Sequence, residues 1–407
     1  MVTDRADTGG EEAIVEGALD TLLQDFPPPS TDFEDFLNAQ FDAGLAWVHF
    51  PPGHGGLGVA RHLQALVTGR LAEAGVPRRQ RIDMLGYTLA GPTIRECGTA
   101  EQFERYLRPA FTTRERWCQL FSEPGAGSDL ASLACRAVRK GDHWVVNGQK
   151  VWNSMADIAD LGMLLTRTNP DVPKHAGITY FILDMHAPGV EVRPLRQMTG
   201  EAEFSEVFLT GVVIPDSSRL GEVDNGWSVA MRTLASERNT FGGRGATADA
   251  LAPPIQMAVD LYHKLGITDP VLRSRLTDLW IRARLLTLTH QRGQAALLDG
   301  RPGPAGSITK IGFAEMQQQA YELCLEIMGD ESMLYDTFDL ERTPEQVKAG
   351  EDDPRRRFLR SRANSIEGGT VEIMRNIIAE RLLGLPAGSR ADKNRPWRDV
   401  PRGSAQA

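Results

Sequence analysis

Cysteine is scarce in this chain: four in 407 residues, Cys97, Cys118, Cys135 and Cys324, with no CxxC pair among them. Such usage excludes a disulfide-stapled secreted scaffold and predicts free thiols in a reducing cytoplasm. Histidine is equally thin, eight residues with no i,i+4 pair, so no metal centre is expected. Excess positive charge is missing too: a formal net charge of −9 disfavours nucleic acid as a partner, because phosphate neutralisation needs clustered Lys and Arg. No apolar run approaches the ~20 residues of a membrane helix. The acidic, polar stretch 1–12 predicts no secretory signal peptide. What remains is ordinary for a globular protein, 41% hydrophobic and 24% charged, in a chain long enough for two or three cores.

The hydrophobic period changes twice along the chain. Phe33, Phe36, Leu37, Phe41 and Leu45 recur at helical spacings behind a cap at Thr31 or Asp32, and helical pattern resumes over 63–73, 84–97 and 101–111. Between them lies Pro51-Pro52-Gly53-His54-Gly55-Gly56-Leu57-Gly58. No buried strand precedes it and no Lys-Ser/Thr follows, so it reads as a helix-joining turn rather than a phosphate cradle. From about Trp117 to Leu220 the period is two. Asn147-Gly148 predicts a two-residue hairpin between 143–146 and 149–152. Further strands are expected over 161–167, 178–184, 190–194 and 206–213, as in a small antiparallel barrel or sandwich.

After Gly226 long helices return, over 227–237, 252–265, 270–298, 306–328 and 370–383. The basic run Arg355-Arg356-Arg357 with Arg360 and Arg362 follows Glu351-Asp352-Asp353 and reads as a solvated mixed-charge loop. The expected plan is α+β: a helical domain over 1–116, a β domain over 117–222, a helical bundle over 223–385 and a mobile Pro/Arg/Gly/Ser-rich tail over 386–407.

Three segments carry candidate chemistry. Leu120-Phe121-Ser122-Glu123-Pro124-Gly125-Ala126-Gly127-Ser128-Asp129 combines small hydroxyls with bare glycines, which lets backbone N–H groups approach a flat polar ligand. Taken alone it would pass for a Pro-Gly turn. Lys150-Val151-Trp152-Asn153-Ser154 sets an aromatic and a hydroxyl two residues apart on a strand, though a strand Trp is more often core. Ile366-Glu367-Gly368-Gly369-Thr370-Val371-Glu372 opens an amphipathic helix whose first turn offers free N–H donors, or merely an N-cap.

In this order and at these separations the three segments resemble the acyl-CoA dehydrogenase family of flavoproteins, over about residues 33–386. The resemblance implies an N-terminal helical domain, a central antiparallel β domain and a C-terminal four-helix bundle, with FAD between the last two. It implies α,β-dehydrogenation of an acyl-CoA thioester to the 2-enoyl-CoA, the electrons leaving to an electron-transfer flavoprotein. By the same resemblance Phe121, Ser122, Gly127, Ser128, Trp152, Ser154, Thr370 and Glu372 meet the cofactor. Ser128 and Arg238 meet substrate, and the Gly368 N–H meets the thioester carbonyl. Asn153 and Met155 depart from the family's commoner residues.

Proton abstraction at the substrate Cα needs a carboxylate made basic by sequestration. Many relatives place it where this chain has Gly368. Glu237, in Leu234-Ala235-Ser236-Glu237-Arg238, matches the alternative placement of branched-chain and long-chain members and is the favoured base, with Glu367 in reserve.

Two subunit-bridging elements of the family are altered. Tyr262-His263-Lys264-Leu265-Gly266 stands for Arg-x-x-Phe-Gly, and Glu326-Ile327-Met328-Gly329-Asp330 for Gln-x-x-Gly-Gly, bringing two carboxylates toward an anionic diphosphate. Two assemblies stay open. One is a homo-oligomer with replacement donors such as Lys264 or Arg273. The other, slightly favoured, is an α2β2 heterotetramer with a sister subunit, as in actinobacterial relatives acting on bulky CoA thioesters such as steroid side chains. The alternative functions are a flavin-dependent monooxygenase or oxidase on the same fold, and a non-catalytic partner subunit of a heteromeric acyl-CoA dehydrogenase.

Overall fold

A computed structural model describes residues 8–77, 79, 83–237, 248–298, 303, 305–335, 353–388 and 392–400. The N-terminal part is helical: α1 (Thr8–Asp25), α2 (Phe33–Asp42), α3 (Gln64–Glu73), α4 (Asp83–Leu85), a wide turn at Gly86–Ala90 leading into α5 (Gly91–Cys97), and α6 (Ala100–Thr112). The sequence reading missed α1. Its apolar residues are sparse in an acidic stretch, yet Val15, Leu19 and Leu22 fall on one face and are buried against Phe36, Leu45, Val48 and Val67. Asp32 caps α2, accepting from Glu34 N at 2.8 Å. The turn at 51–58 is a close chain reversal: a methyl group on Gly56 would come 2.1 Å from the Phe50 carbonyl oxygen.

One mostly antiparallel sheet follows: β1 (Trp117–Leu120), β2 (Arg136–Lys140), β3 (His143–Ser154), β4 (Leu161–Arg167), β5 (Ile178–Asp184), β6 (Val190–Leu195), β7 (Phe204–Pro215) and β8 (Arg219–Leu220). The order is β6-β7-β3-β2-β4-β5-β8, with β1 parallel to β4. The hairpin expected at Asn147-Gly148 is not there. β3 runs unbroken through it, and the reversal lies at Gly141, whose φ is +67°. Asn147 lies opposite a bulge instead: β2 and β7 pair with β3 on either side, and between Val146 and Gly148 the extra residue is on β7, where Thr210 and Gly211 face Asn147. Asn147 Oδ1 accepts from Gly211 N at 2.8 Å. Gly148 lies so close to Cys135 that a Cβ would meet it at 2.7 Å.

The C-terminal helices are α7 (Gly226–Glu237), α8 (Ala248–Lys264), α9 (Pro270–Leu298), α10 (Ala305–Met328), α11 (Pro354–Ser361) and α12 (Val371–Ile377). α8, α9 and α10 share a core of Ile255, Leu276, Leu279, Met316, Leu323 and Cys324. α7 packs elsewhere: Val229 and Ala230 join the core that holds Leu89, Ile94, Phe121 and Tyr180. Leu89 and its neighbours are therefore packed against the helix that ends at Glu237.

Two expectations about charge and order need correction. The arginine run is a helix, α11, and its cations are partnered rather than solvated. Arg356 is buried and bidentate with Glu201 at 2.7 Å on both sides, Arg360 meets Glu203 at 2.8 Å, and Arg362 meets Glu322 at 2.9 Å. Each carboxylate comes from a distant segment, which local charge patterning cannot register. The tail also returns to the sheet domain over 392–400: Trp397 N donates to Val172 O at 2.8 Å and Arg398 N to Pro170 O at 3.0 Å. Among the described residues no helix is long and apolar enough to cross a membrane.

Candidate active site

β1 delivers the chain into the Ser122–Asp129 loop, and a buried ion pair fixes the start of that loop. Lys150, fully buried on β3, donates to Glu123 Oε1 at 2.8 Å and to Phe121 O at 3.0 Å. Glu123 also accepts from Ala134 N at 2.6 Å and Cys135 N at 2.9 Å. Two charges taken out of water hold together only where further hydrogen bonds satisfy them, and here they do. Val151 N donates to Ser122 O at 3.0 Å, so the loop and the Trp152 strand lie side by side. The sequence reading passed over Glu123 and Lys150 within its own motifs; a Glu opposite a Lys on neighbouring segments was the available signal. Phe121 turns its ring into the core, edge-on to Tyr180 at 5.8 Å between centroids, and supports the loop from beneath.

Beyond Glu123 the loop packs inward only at Ala126. Gly125, Gly127, Ser128 and Asp129 are exposed, and a methyl group added at Gly125 or Gly127 would meet nothing within 4 Å. No packing within the chain demands those glycines.

Trp152 is 58% exposed and adopts φ +62°, a left-handed conformation that a bulky residue avoids. Its cause is a bulge: Lys150 and Asn153 on β3 stand opposite Val207 and Ser205 on β7, so β3 carries an extra residue. The bulge turns Trp152 outward and Asn153 inward. Asn153 is buried, its Nδ2 donating to Gln119 O at 2.8 Å. Ser154 is half-buried at the strand end.

The third segment meets the second through two side chains. The Trp152 ring packs edge-on against Phe204 at 5.9 Å, the Arg360 guanidinium lies 5.8 Å from the Phe204 ring, and Arg360 grips Glu367 at 3.0 Å. Glu367 immediately precedes Gly368 and Gly369, whose φ values are +64° and +94°. Thr370 caps α12, accepting from Ile373 N at 3.2 Å, and Glu372 is exposed in the first turn. From α10, Lys310 donates to Asn364 O at 2.6 Å under this loop. Burial holds its ammonium below the ordinary lysine range, against the pull of Glu367 and Glu372.

Glu237 is the last residue of α7, one turn beyond Thr233, which hydrogen-bonds Thr93 at 3.0 Å and Tyr180 at 3.3 Å. Tyr180 touches Phe121, so the helix ending at Glu237 packs on the underside of the first loop. The Glu237 side chain and Arg238 lie outside the described residues. Of the altered bridging elements, Glu326 is paired with Arg275 at 2.6 Å, and Arg273 lines an open groove with Ser274, Thr277 and Asp278.

An outward tryptophan, exposed glycines beside Ser122 and Ser128, and a left-handed glycine turn at a helix start are features that a planar anionic cofactor would need. These residues fit a flavin dinucleotide. Among the described residues no His, Cys, Asp and Glu cluster could hold a metal ion.

Models of the acyl-CoA dehydrogenase N-terminal, middle and C-terminal domains match residues 24–114, 118–212 and 224–383. The acyl-CoA dehydrogenase FadE34 of Mycobacterium tuberculosis is 39% identical over 85% of this chain, which spans 45% of that protein's length. The acyl-CoA dehydrogenase IpdE1 of the same organism is 36% identical over 84% of this chain and 86% of its own. The ChsE4-ChsE5 complex of Mycobacterium tuberculosis contains a chain 26% identical with a TM-score of 0.67, aligned over 95% of this chain and 100% of that one. Helices α2 to α6, the bulged Trp152 of the central sheet and the glycine turn before α12 thus stand within the matched domains, and the chain belongs to the acyl-CoA dehydrogenase family.

Proposed function

We propose that this chain is an FAD-dependent acyl-CoA dehydrogenase, converting an acyl-CoA thioester to its 2-enoyl-CoA and passing electrons to an electron-transfer flavoprotein. The observation that carries the reading is Trp152, displayed at 58% exposure by a strained bulge beside a loop of exposed glycines. Strain of this kind persists where surrounding structure enforces it for a purpose. Ser122, Gly127, Ser128, Trp152, Ser154, Thr370 and Glu372 would hold FAD, which when bound supplies the hydride acceptor.

The Gly368 N–H holds the thioester carbonyl oxygen, where negative charge collects as the α-proton leaves. Glu237 receives that proton on its carboxylate. Glu367 suits the task less, because its carboxylate is already engaged by the Arg360 guanidinium at 3.0 Å. Arg238 and Ser128 would meet the CoA portion. The altered bridging elements, together with likeness to the ChsE4-ChsE5 complex, support an α2β2 assembly with a sister subunit acting on a bulky acyl group.

The test is anaerobic bleaching of the purified flavoprotein by a panel of CoA thioesters from short linear to polycyclic. Glu237→Gln is expected to slow bleaching by about 10²–10⁴-fold, and Glu367→Gln by much less. Unchanged bleaching in Glu237→Gln would remove the base assignment. Failure of every thioester to bleach the wild-type flavin would overturn the function.

A further inference from the structure

The Ser128 loop packs inward at Ala126 but leaves Gly127, Ser128 and Asp129 exposed, and part of what holds their trailing end comes from the far end of the chain. Its leading end is held by Glu123 on Lys150, Ala134 and Cys135. Its trailing end is held by Lys174, which donates to both Asp129 oxygens at 2.8 Å, and by Ser132, whose hydroxyl meets Asp129 at 2.5 Å. The buried Arg167 donates to Ala131 O at 2.5 Å and to Lys174 O at 2.7 Å. These two cations organise the trailing end, and residues 392–400 cover both.

Asp392 takes the opposite side of Lys174 at 2.5 Å, leaving that side chain 11% exposed between two carboxylates. The Trp397 ring lies 4.9 Å from the Arg167 guanidinium, and its indole N–H donates to Ser132 O at 3.2 Å. Backbone bonds from Trp397 to Val172 and from Arg398 to Pro170 fasten the segment to the β4–β5 connection. A contact across 265 residues of sequence therefore ends on the residues directly after Ser128.

We propose that residues 392–400 are a latch that positions the Ser128 loop, so that flavin retention depends on this docked segment. The inference rests on the cofactor reading above. With the latch removed, Lys174–Asp129 becomes an exposed pair of little strength. Arg167 loses its aromatic cover. The loop must then be ordered at the moment of cofactor binding, which weakens affinity without removing any cofactor contact.

The full-length protein is compared with a chain ending before Asp392 and with Trp397→Ala, Asp392→Asn and Trp397→Phe. Apoprotein is titrated with FAD by flavin fluorescence, and amide exchange is followed at 127–133 without cofactor. The latch predicts a Kd raised about tenfold in the truncated chain and in Trp397→Ala, and most of the loss recovered in Trp397→Phe, which keeps a ring over Arg167. It predicts faster exchange at 127–133 while apoprotein melting stays close to wild type. Wild-type Kd in Trp397→Ala and Asp392→Asn, or unchanged exchange at 127–133, would overturn it; these two variants decide if the truncated chain does not fold. If the wild-type protein binds no FAD, the cofactor reading fails, and the exchange measurement still decides the latch.

Discussion

The Arg360 guanidinium holds the Glu367 carboxylate at 3.0 Å, one residue ahead of the left-handed Gly368–Gly369 turn. Its Nε meets Glu203 at 2.8 Å, so one side chain joins the sheet domain to the turn. With Arg360 15% and Glu203 18% exposed, removal of the cation strands a largely desolvated carboxylate. Arg360→Gln is expected to cost about 2–4 kcal/mol in urea unfolding. A double-mutant cycle with Glu367→Gln should give a coupling of about 1 kcal/mol; additivity would show that the pair does not hold the turn.

Lys150 and Glu123 are a sharper case, because both are buried. Lys150→Met leaves Glu123 charged in the interior and should destabilise the chain by about 3–5 kcal/mol in guanidinium unfolding. Replacing both, Lys150→Met with Glu123→Gln, should recover part of that loss. A double variant as unstable as the sum of the singles would contradict the pairing.

Trp152 makes the reverse prediction. At 58% exposure it contributes little burial, so Trp152→Ala should change apoprotein stability by less than about 1 kcal/mol. Flavin affinity should fall about tenfold with loss of the ring surface. Because the backbone sits at φ +62°, Trp152→Gly should be more stable than Trp152→Ala by about 1 kcal/mol. Equal stabilities would mean that the bulge relaxes without strain.

His49 sets a pH dependence. Burial, with Arg61 adding to it and Glu96 opposing, pulls its ring from 6.5 to about 4. The unfolded chain then takes up a proton at higher pH than the folded one. Stability is full above 6.5, falls as pH drops through the window to about 4, and levels off below it. For a ring only part-buried the loss is about 1–2 kcal/mol. His49→Gln should remove that component from urea midpoints measured across the window, and an unchanged wild-type-minus-variant difference would place the proton uptake elsewhere.

Short-range regularities told much of this molecule in advance. The bounds of β4, β5 and α9 follow from alternation or helical period together with Gly and Pro punctuation, since strands and helices of that length bury a repeating face. The three candidate motifs stood out because glycines, hydroxyls and a cap at fixed offsets act through local backbone geometry. What failed was everything whose partner lies far along the chain. Asn147-Gly148 is by local rule a turn, and only pairing with β2 and β7 keeps it inside a continuous strand. Arg356 and Arg360 read as solvated until Glu201 and Glu203 arrive from the sheet domain. The segment carrying Trp397 reads as a loose tail until Arg167 and Lys174 receive it. Sequence by itself determined most of the elements and the family, because period and turn chemistry are properties of neighbours. The tertiary structure decided which charges are buried and which loops are held, because a desolvated ion is tolerable only where a distant segment supplies its counter-charge.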